Sequence, residues 1–106
     1  MKESRLNALL NYLENDRDDS FILYAVALEY KNFDKAKSII YFEELTKYHP
    51  KYLPAYYQLG LIYYELNNIE SAKLILTKGI ELAKNTAEQK TLQELKSLYD
   101  EIIFED

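Results

Sequence analysis

Apolar residues recur at steps of three and four along nearly the whole 106-residue chain, and short polar clusters interrupt them. This spacing places apolar side chains on one side of an α-helix. Only two glycines and two prolines interrupt the pattern. We therefore predict an all-α chain of six helices, over about Ser4–Asn15, Phe21–Lys31, Lys35–Tyr48, Leu53–Leu66, Glu70–Lys84 and Ala87–Phe104.

Several polar residues and prolines predict where these helices begin and end. The polar run from Asp16 to Ser20 can cap the second helix, and Asp34 is the predicted N-cap of the third. Pro50 ends the third helix, because a proline pushes the residue before it out of the α region. Pro54 fits the first turn of the fourth helix, where its missing N–H has no cost.

The chain contains an internal repeat. The second predicted helix overlays the fourth at an offset of 33 residues, and the third overlays the fifth at an offset of 34. Two antiparallel helices approach closely only where one of them carries a small side chain. We therefore expect the helix contacts at the small residues of the repeat, which are Ala27, Ser38, Gly60, Ala72 and Gly79.

The residues of the repeat carry a family resemblance. The first copy reads Leu23-x-x-Val26-Ala27-x-x-Tyr30 and then Ser38-x-x-x-Phe42; the second reads Tyr56-x-x-Leu59-Gly60-x-x-Tyr63 and then Ala72-x-x-x-Leu76. This pattern resembles the tetratricopeptide repeat, a helix–turn–helix unit of about 34 residues. The resemblance implies an α-α superhelix, with a single domain over 1–106 that has an N-terminal capping helix (1–19), two repeats (20–52 and 53–85) and a C-terminal capping helix (86–106).

The resemblance also implies a concave groove, lined by the first helix of each repeat, in which a peptide or helix of a partner protein lies. Family members that bind chaperone tails place Lys, Asn and Arg in this groove, whereas this chain has Tyr and Leu there, so a chaperone-tail clamp is not expected. Whether the groove tyrosines are exposed or covered by a terminal helix is left open. The implied groove residues are Phe21, Tyr24, Leu28, Lys31, Tyr57, Gln58, Leu61, Tyr64 and Glu65.

Composition narrows the classes of partner. The formal net charge of −5 argues against nucleic acid and anionic membranes as partners, because phosphate binding needs a basic surface. The chain has no cysteine, which excludes disulfides and Cys-ligated metals and is compatible with a reducing cytosol. Its N-terminus lacks the unbroken apolar segment of a signal peptide. We therefore expect a soluble, cytoplasmic protein.

The sequence offers little catalytic chemistry. His49 is the only histidine and precedes Pro50, so we assign it a structural role. The cluster of Asp16, Asp18 and Asp19 does not form a calcium loop, because an apolar helix follows where that loop would continue. We expect no cofactor, no metal and no enzymatic activity, and we interpret the chain as a protein-interaction adaptor. A self-associating structural protein, a homodimer formed through the groove or the last helix, is the alternative.

Overall fold

A computed structural model describes residues 2–105 of the chain, with side chains from residue 4 onward. It confirms the all-α fold class, and the predicted helix ends differ from the observed ones by at most two residues. The chain divides into two compact units between Pro50 and Lys51. The helices are α1 (Lys2–Asn15), α2 (Ser20–Lys31), α3 (Lys35–Tyr48), α4 (Leu53–Glu65), α5 (Ile69–Lys84) and α6 (Gln89–Glu105).

The N-terminal unit packs α2 against both α1 and α3. Leu13 of α1 and Phe42 of α3 are almost fully buried. At the buried crossing of α2 and α3, the Ser38 hydroxyl donates a 2.7 Å hydrogen bond to the Ala27 carbonyl. This bond provides the buried serine with the polar partner that it needs. The predicted contact at these two small residues is confirmed.

Caps at the helix ends follow the sequence prediction. The Asp19 carboxylate accepts a hydrogen bond from the Ile22 N–H at 3.2 Å, and the Asp34 carboxylate accepts one from the Lys37 N–H at 3.1 Å. Each bond satisfies a backbone donor that has no partner within the first turn of its helix. At the end of α3, the His49 N–H donates to the Leu45 carbonyl at 2.8 Å.

The C-terminal unit depends on two glycines at its helix contacts. A Cβ atom on Gly60 of α4 would lie 2.5 Å from Leu76 Cδ2 of α5. A Cβ atom on Gly79 of α5 would lie 2.7 Å from Tyr56 Cβ of α4. Both distances are far below a normal carbon–carbon contact of about 3.5–4.0 Å. The missing side chains therefore allow α4 and α5 to approach closely, as the sequence predicts.

The change of repeat offset from 33 to 34 has its origin in the turn after α4. In both repeats the N–H of the residue before the second helix donates to the carbonyl of the repeat tyrosine: Asp34 to Tyr30, and Asn68 to Tyr63. The tyrosine and the residue before the second helix are therefore one residue further apart in the second repeat than in the first. Asn67 accommodates the extra residue with a φ of 62°, a left-handed conformation that asparagine tolerates better than most residues.

The last helix, α6, packs against both α4 and α5. It buries Leu95, Leu98 and Ile102. It begins at Gln89, two residues later than expected, because Thr86 organises the preceding turn. The Thr86 hydroxyl donates to the Ala83 carbonyl at 2.8 Å and accepts from the Glu88 N–H at 3.2 Å.

α6 has the residue spacing of a first repeat helix. Its sequence Leu92-x-x-Leu95-Lys96-x-x-Tyr99 parallels the motif of α4, with Lys96 at the position of Gly60. Lys96 is exposed, and its long charged side chain is unsuited to the close helix contact that a glycine permits. This substitution favours the interpretation of α6 as a capping helix.

The glycine contact can be tested with Gly79→Ala. Alanine is favoured over glycine within a helix by about 1 kcal/mol, whereas overpacking a core costs about 1–3 kcal/mol. The new Cβ meets Tyr56 Cβ, which is fixed by the α4 backbone, so the overpacking cost should lie in the upper part of that range, at about 2–3 kcal/mol. After the gain in helix propensity is subtracted, we expect the free energy of unfolding to fall by about 1–2 kcal/mol. Urea denaturation followed by circular dichroism measures the change. Lys78→Ala on the exposed side of α5 is the control, and an equal or higher stability of Gly79→Ala would contradict the account.

The contribution of α6 can be tested with Leu95→Ala. Leu95 is fully buried, so removing its side chain should lower the free energy of unfolding by about 2–5 kcal/mol. Leu74→Ala is the matched control, because Leu74 of α5 is 62% exposed and its removal should change stability by less than about 0.5 kcal/mol. Equal effects of the two variants in thermal or urea denaturation would show that α6 is not part of the core.

Candidate functional site

In the N-terminal unit, the implied groove residues lie along one side of α2. Phe21 is 68% exposed, and Tyr24, Leu28 and Lys31 are half-buried. Their spacing of three and four residues aligns them on one face of the helix. The Tyr24 ring also packs edge-on against Phe42 of α3, with the ring centroids 5.8 Å apart. Tyr24 thus contributes to the core of the unit as well as to its surface.

In the C-terminal unit, the implied groove residues lie on α4 beside α6. Tyr57, Gln58, Leu61 and Tyr64 are half-buried, and Glu65 is exposed. Tyr57 lines a cleft with α6, and the Tyr64 hydroxyl donates a hydrogen bond to the Glu105 carboxylate. The last helix therefore partly covers both of these tyrosines, and for these two the question that the sequence left open is answered.

The two tyrosine contacts also give the relative direction of α4 and α6. Tyr57 near the start of α4 meets the middle of α6, whereas Tyr64 near the end of α4 meets Glu105 at the end of α6. The two helices therefore run in the same direction. Their C-terminal ends, at Glu65 and Glu105, lie at the same end of the unit.

The cleft between α4 and α6 has a volume of about 290 Å³. Tyr57 is its only lining residue from α4. The rest of its lining comes from α6: Lys90, Gln93, Glu94, Ser97, Leu98 and Glu101. We call this site the α4–α6 cleft. The α6 residues lie outside the groove that the sequence predicts, because the last helix was expected to cap the repeats or to form a homodimer, although the helical spacing of these residues is visible as a polar stripe.

The α4–α6 cleft combines an aromatic ring with charges that have no protein partner. Lys90, Glu94 and Glu101 are exposed, and none of the three forms an ion pair with another side chain of residues 4–105, the range in which side chains are described. Glu94 and Glu101 are seven residues apart, which is about 10 Å along a helix and places them on the same side. Both residues therefore lie on the side of α6 that lines the cleft.

A second cleft, in the N-terminal unit, has a different electrostatic character. It has a volume of about 400 Å³ and is lined by Arg17, Asp18, Glu44 and Tyr48. Arg17 donates two hydrogen bonds to the Glu44 carboxylate, at 2.8 and 3.1 Å. These bonds raise the pKa of the Arg17 guanidinium above its ordinary value. Asp18 Oδ1 lies 3.1 Å from His49 Nε2, but the two atoms do not form a hydrogen bond. The Arg17–Glu44 pair is therefore the bonded charge pair of this cleft.

Core tyrosines differ clearly from those near the clefts. Tyr56 is only 6% exposed, and burial raises the pKa of its phenol above the ordinary value. Tyr30 stacks on Tyr41 with the ring centroids 5.6 Å apart. Both residues occupy repeat motif positions, and their contacts are those of packing residues.

The described part of the chain contains no assembled metal site. No group of three or more His, Asp or Glu side chains within residues 4–105 is placed to hold a metal ion. In the same range, no helix has both the length and the apolar character needed to cross a bilayer.

Comparison with known proteins places this fold in a family. A family model described as the tetratricopeptide repeat matches residues 27–95. A crystal structure of a tetratricopeptide repeat domain protein from Salinibacter ruber is 32% identical, covers 83% of this chain and 100% of that chain, and has a TM-score of 0.78. A solution NMR structure of such a domain protein from the same organism is 33% identical, covers 86% and 93% of the two chains, and has a TM-score of 0.80.

A more distant similarity concerns the fold alone. The type III secretion translocator chaperone SycD of Yersinia enterocolitica has a TM-score of 0.89 at 12% identity, and the match covers 98% of this chain and 73% of that chain. No curated protein matches the sequence. The family model nevertheless spans more than half of the chain, and the repeat motifs occupy the helix contacts that such repeats need. The chain belongs to the tetratricopeptide repeat family.

Proposed function

We propose that this protein is a non-catalytic interaction module that binds a peptide or helix of a partner protein through the first helices of its repeats. Tetratricopeptide repeat domains mediate protein–protein interactions. The observation that carries the proposal is that the first helix of each repeat, α2 in the N-terminal unit and α4 in the C-terminal unit, keeps aromatic and apolar side chains partly accessible to solvent. These residues are Phe21, Tyr24, Leu28, Tyr57, Leu61 and Tyr64.

The chemistry of these side chains suits a partner segment with apolar residues. Aromatic rings offer a large contact area with few rotatable bonds to immobilise, which makes them effective anchors in interfaces. Lys31, Gln58 and Glu65 lie beside the rings and would orient the segment through polar contacts. The absence of cysteine agrees with a cytoplasmic site of action, which is part of the proposal.

Site-specific photo-crosslinking in the native cell tests the proposal. A photoreactive phenylalanine analogue is placed at Phe21 or at Tyr57, two positions on the proposed binding side. We expect each position to form a covalent adduct with the same partner protein, which mass spectrometry identifies. Phe21 is largely exposed, so its replacement leaves the fold intact.

The matched controls carry the same analogue at Ile40 of α3 and Leu74 of α5. These residues are equally apolar and are 59% and 62% exposed, but they lie on the second helices of the repeats. Adducts formed only from Ile40 or Leu74, or no discrete adduct from any of the four positions, would contradict the proposal.

Self-association through α6 is a second candidate, which the exposed apolar residues at the end of that helix favour. Phe104 is 87% exposed and Ile103 is 43% exposed, and such residues can form a symmetric contact between two copies. Light scattering across a concentration series distinguishes the two candidates. If the measured mass equals that of the monomer at every concentration, the homodimer is excluded.

A further inference from the structure

We infer that the α4–α6 cleft receives a basic side chain, arginine or lysine, of the partner segment. This inference rests on the proposed function, since it specifies the chemistry of the segment that the module binds. It goes beyond the groove implied by the repeats, because α6 supplies most of the cleft. Glu94 and Glu101 would hold the cationic group, with the Tyr57 ring beside it.

The first support is the balance of charge in the cleft. The cleft is lined by two carboxylates, Glu94 and Glu101, and by one ammonium group, Lys90. None of these groups forms an ion pair with the side chains described for residues 4–105, so a cationic ligand would not have to displace any of those side chains. The contrast is the N-terminal cleft, where Glu44 already binds Arg17.

The second support is the end of α6, which is electronegative. The C-terminal end of a helix carries a partial negative charge, and basic residues near it are normally favourable. The last turn of α6 contains no basic residue, whereas Asp100, Glu101 and Glu105 lie in its final six residues. The helix dipole and these carboxylates therefore act together to attract a cation toward Glu101.

The third support is the shape and polarity of the lining. Tyr57 presents an aromatic ring, and Leu98 provides an apolar, largely buried floor. Arginine and lysine side chains have an apolar stem and a charged head, and the head is also attracted by the face of an aromatic ring. A cleft with a ring, an apolar floor and two carboxylates is complementary to both parts of such a side chain.

An NMR titration with short peptides tests this inference even before the partner protein is identified. The probes are acetyl-Leu-Arg-Leu-amide and its isosteric, uncharged counterpart acetyl-Leu-citrulline-Leu-amide. We expect the arginine peptide to shift the amide signals of Tyr57, Glu94, Ser97 and Glu101 with a dissociation constant in the millimolar range, on the order of 1–10 mM. The citrulline peptide should bind about three- to tenfold more weakly, because it lacks the charge.

Two double variants assign the binding to the carboxylates of the cleft. Glu94→Gln with Glu101→Gln should weaken binding of the arginine peptide about three- to tenfold. Glu70→Gln with Glu88→Gln removes the same net charge from exposed positions outside the cleft, and we expect less than about a twofold change. Thermal denaturation verifies that both variants are folded.

Three results would overturn the inference: equal binding of both peptides, unchanged binding by the Glu94 and Glu101 variant, or no shift of the cleft amides at peptide concentrations up to about 10 mM, where even the weakest expected affinity gives about half occupancy. These outcomes are independent of the photo-crosslinking experiment. If Phe21 and Tyr57 form adducts but the titration is negative, the proposed interaction module is supported and only the binding of a basic side chain in the α4–α6 cleft is rejected.

Discussion

The close approach of paired helices at small residues is the constraint on which the rest of the molecule depends. Gly60 and Gly79 leave no room for a Cβ atom between α4 and α5. In the N-terminal unit, Ala27 and Ser38 meet through a buried hydrogen bond. The larger Phe42 and Leu76 fill the space beside these contacts and are fully buried. A helix pair of this kind is held by shape complementarity, which tolerates little change of volume.

Because of this packing, the first helix of each repeat has one side that packs against its neighbour and another that is partly accessible to solvent. One side of α2 and one side of α4 form the helix contacts, and the opposite sides keep partly accessible rings such as Phe21 and Tyr57. α6 continues the pattern in the C-terminal unit, because its apolar side packs on α4 and α5 while its polar side lines the α4–α6 cleft. Lys96 is exposed and occupies the repeat position at which a glycine would allow a further helix to pack closely. The same helix thus covers the core and contributes to a candidate binding site.

Most of the fold could be predicted from the sequence because its determinants are local. Helix spacing, the caps at Asp19 and Asp34, and the proline after His49 each act within a few residues. The small residues, which recur at matching positions of the two repeats, then indicated which helices pair. The start of α6 was predicted two residues too early, since the hydroxyl of Thr86 forms hydrogen bonds that a pattern of apolar residues does not reveal. The positive φ of Asn67, which explains the unequal offsets, was likewise not visible.

The candidate site was harder to predict because it depends on contacts between distant residues. Tyr24 was assigned to the implied groove by its position in the repeat, yet its ring also packs on Phe42. The pairing of Tyr64 with Glu105 joins residues 41 positions apart. The charged lining of the α4–α6 cleft arises only when α6 lies alongside α4, so the sequence alone could give its residues but not their common location.

The most direct test of the account is chemical-shift mapping of the whole protein with the partner segment found by photo-crosslinking. If the first helices bind and the second helices only pack, the perturbed amides will lie on α2 around Phe21 and Leu28, on α4 around Tyr57, and on α6 around Glu94. The exposed sides of α3 and α5, around Ile40 and Leu74, will remain unchanged. Perturbations concentrated around Ile40 and Leu74, with α2 and α4 unaffected, would contradict the account.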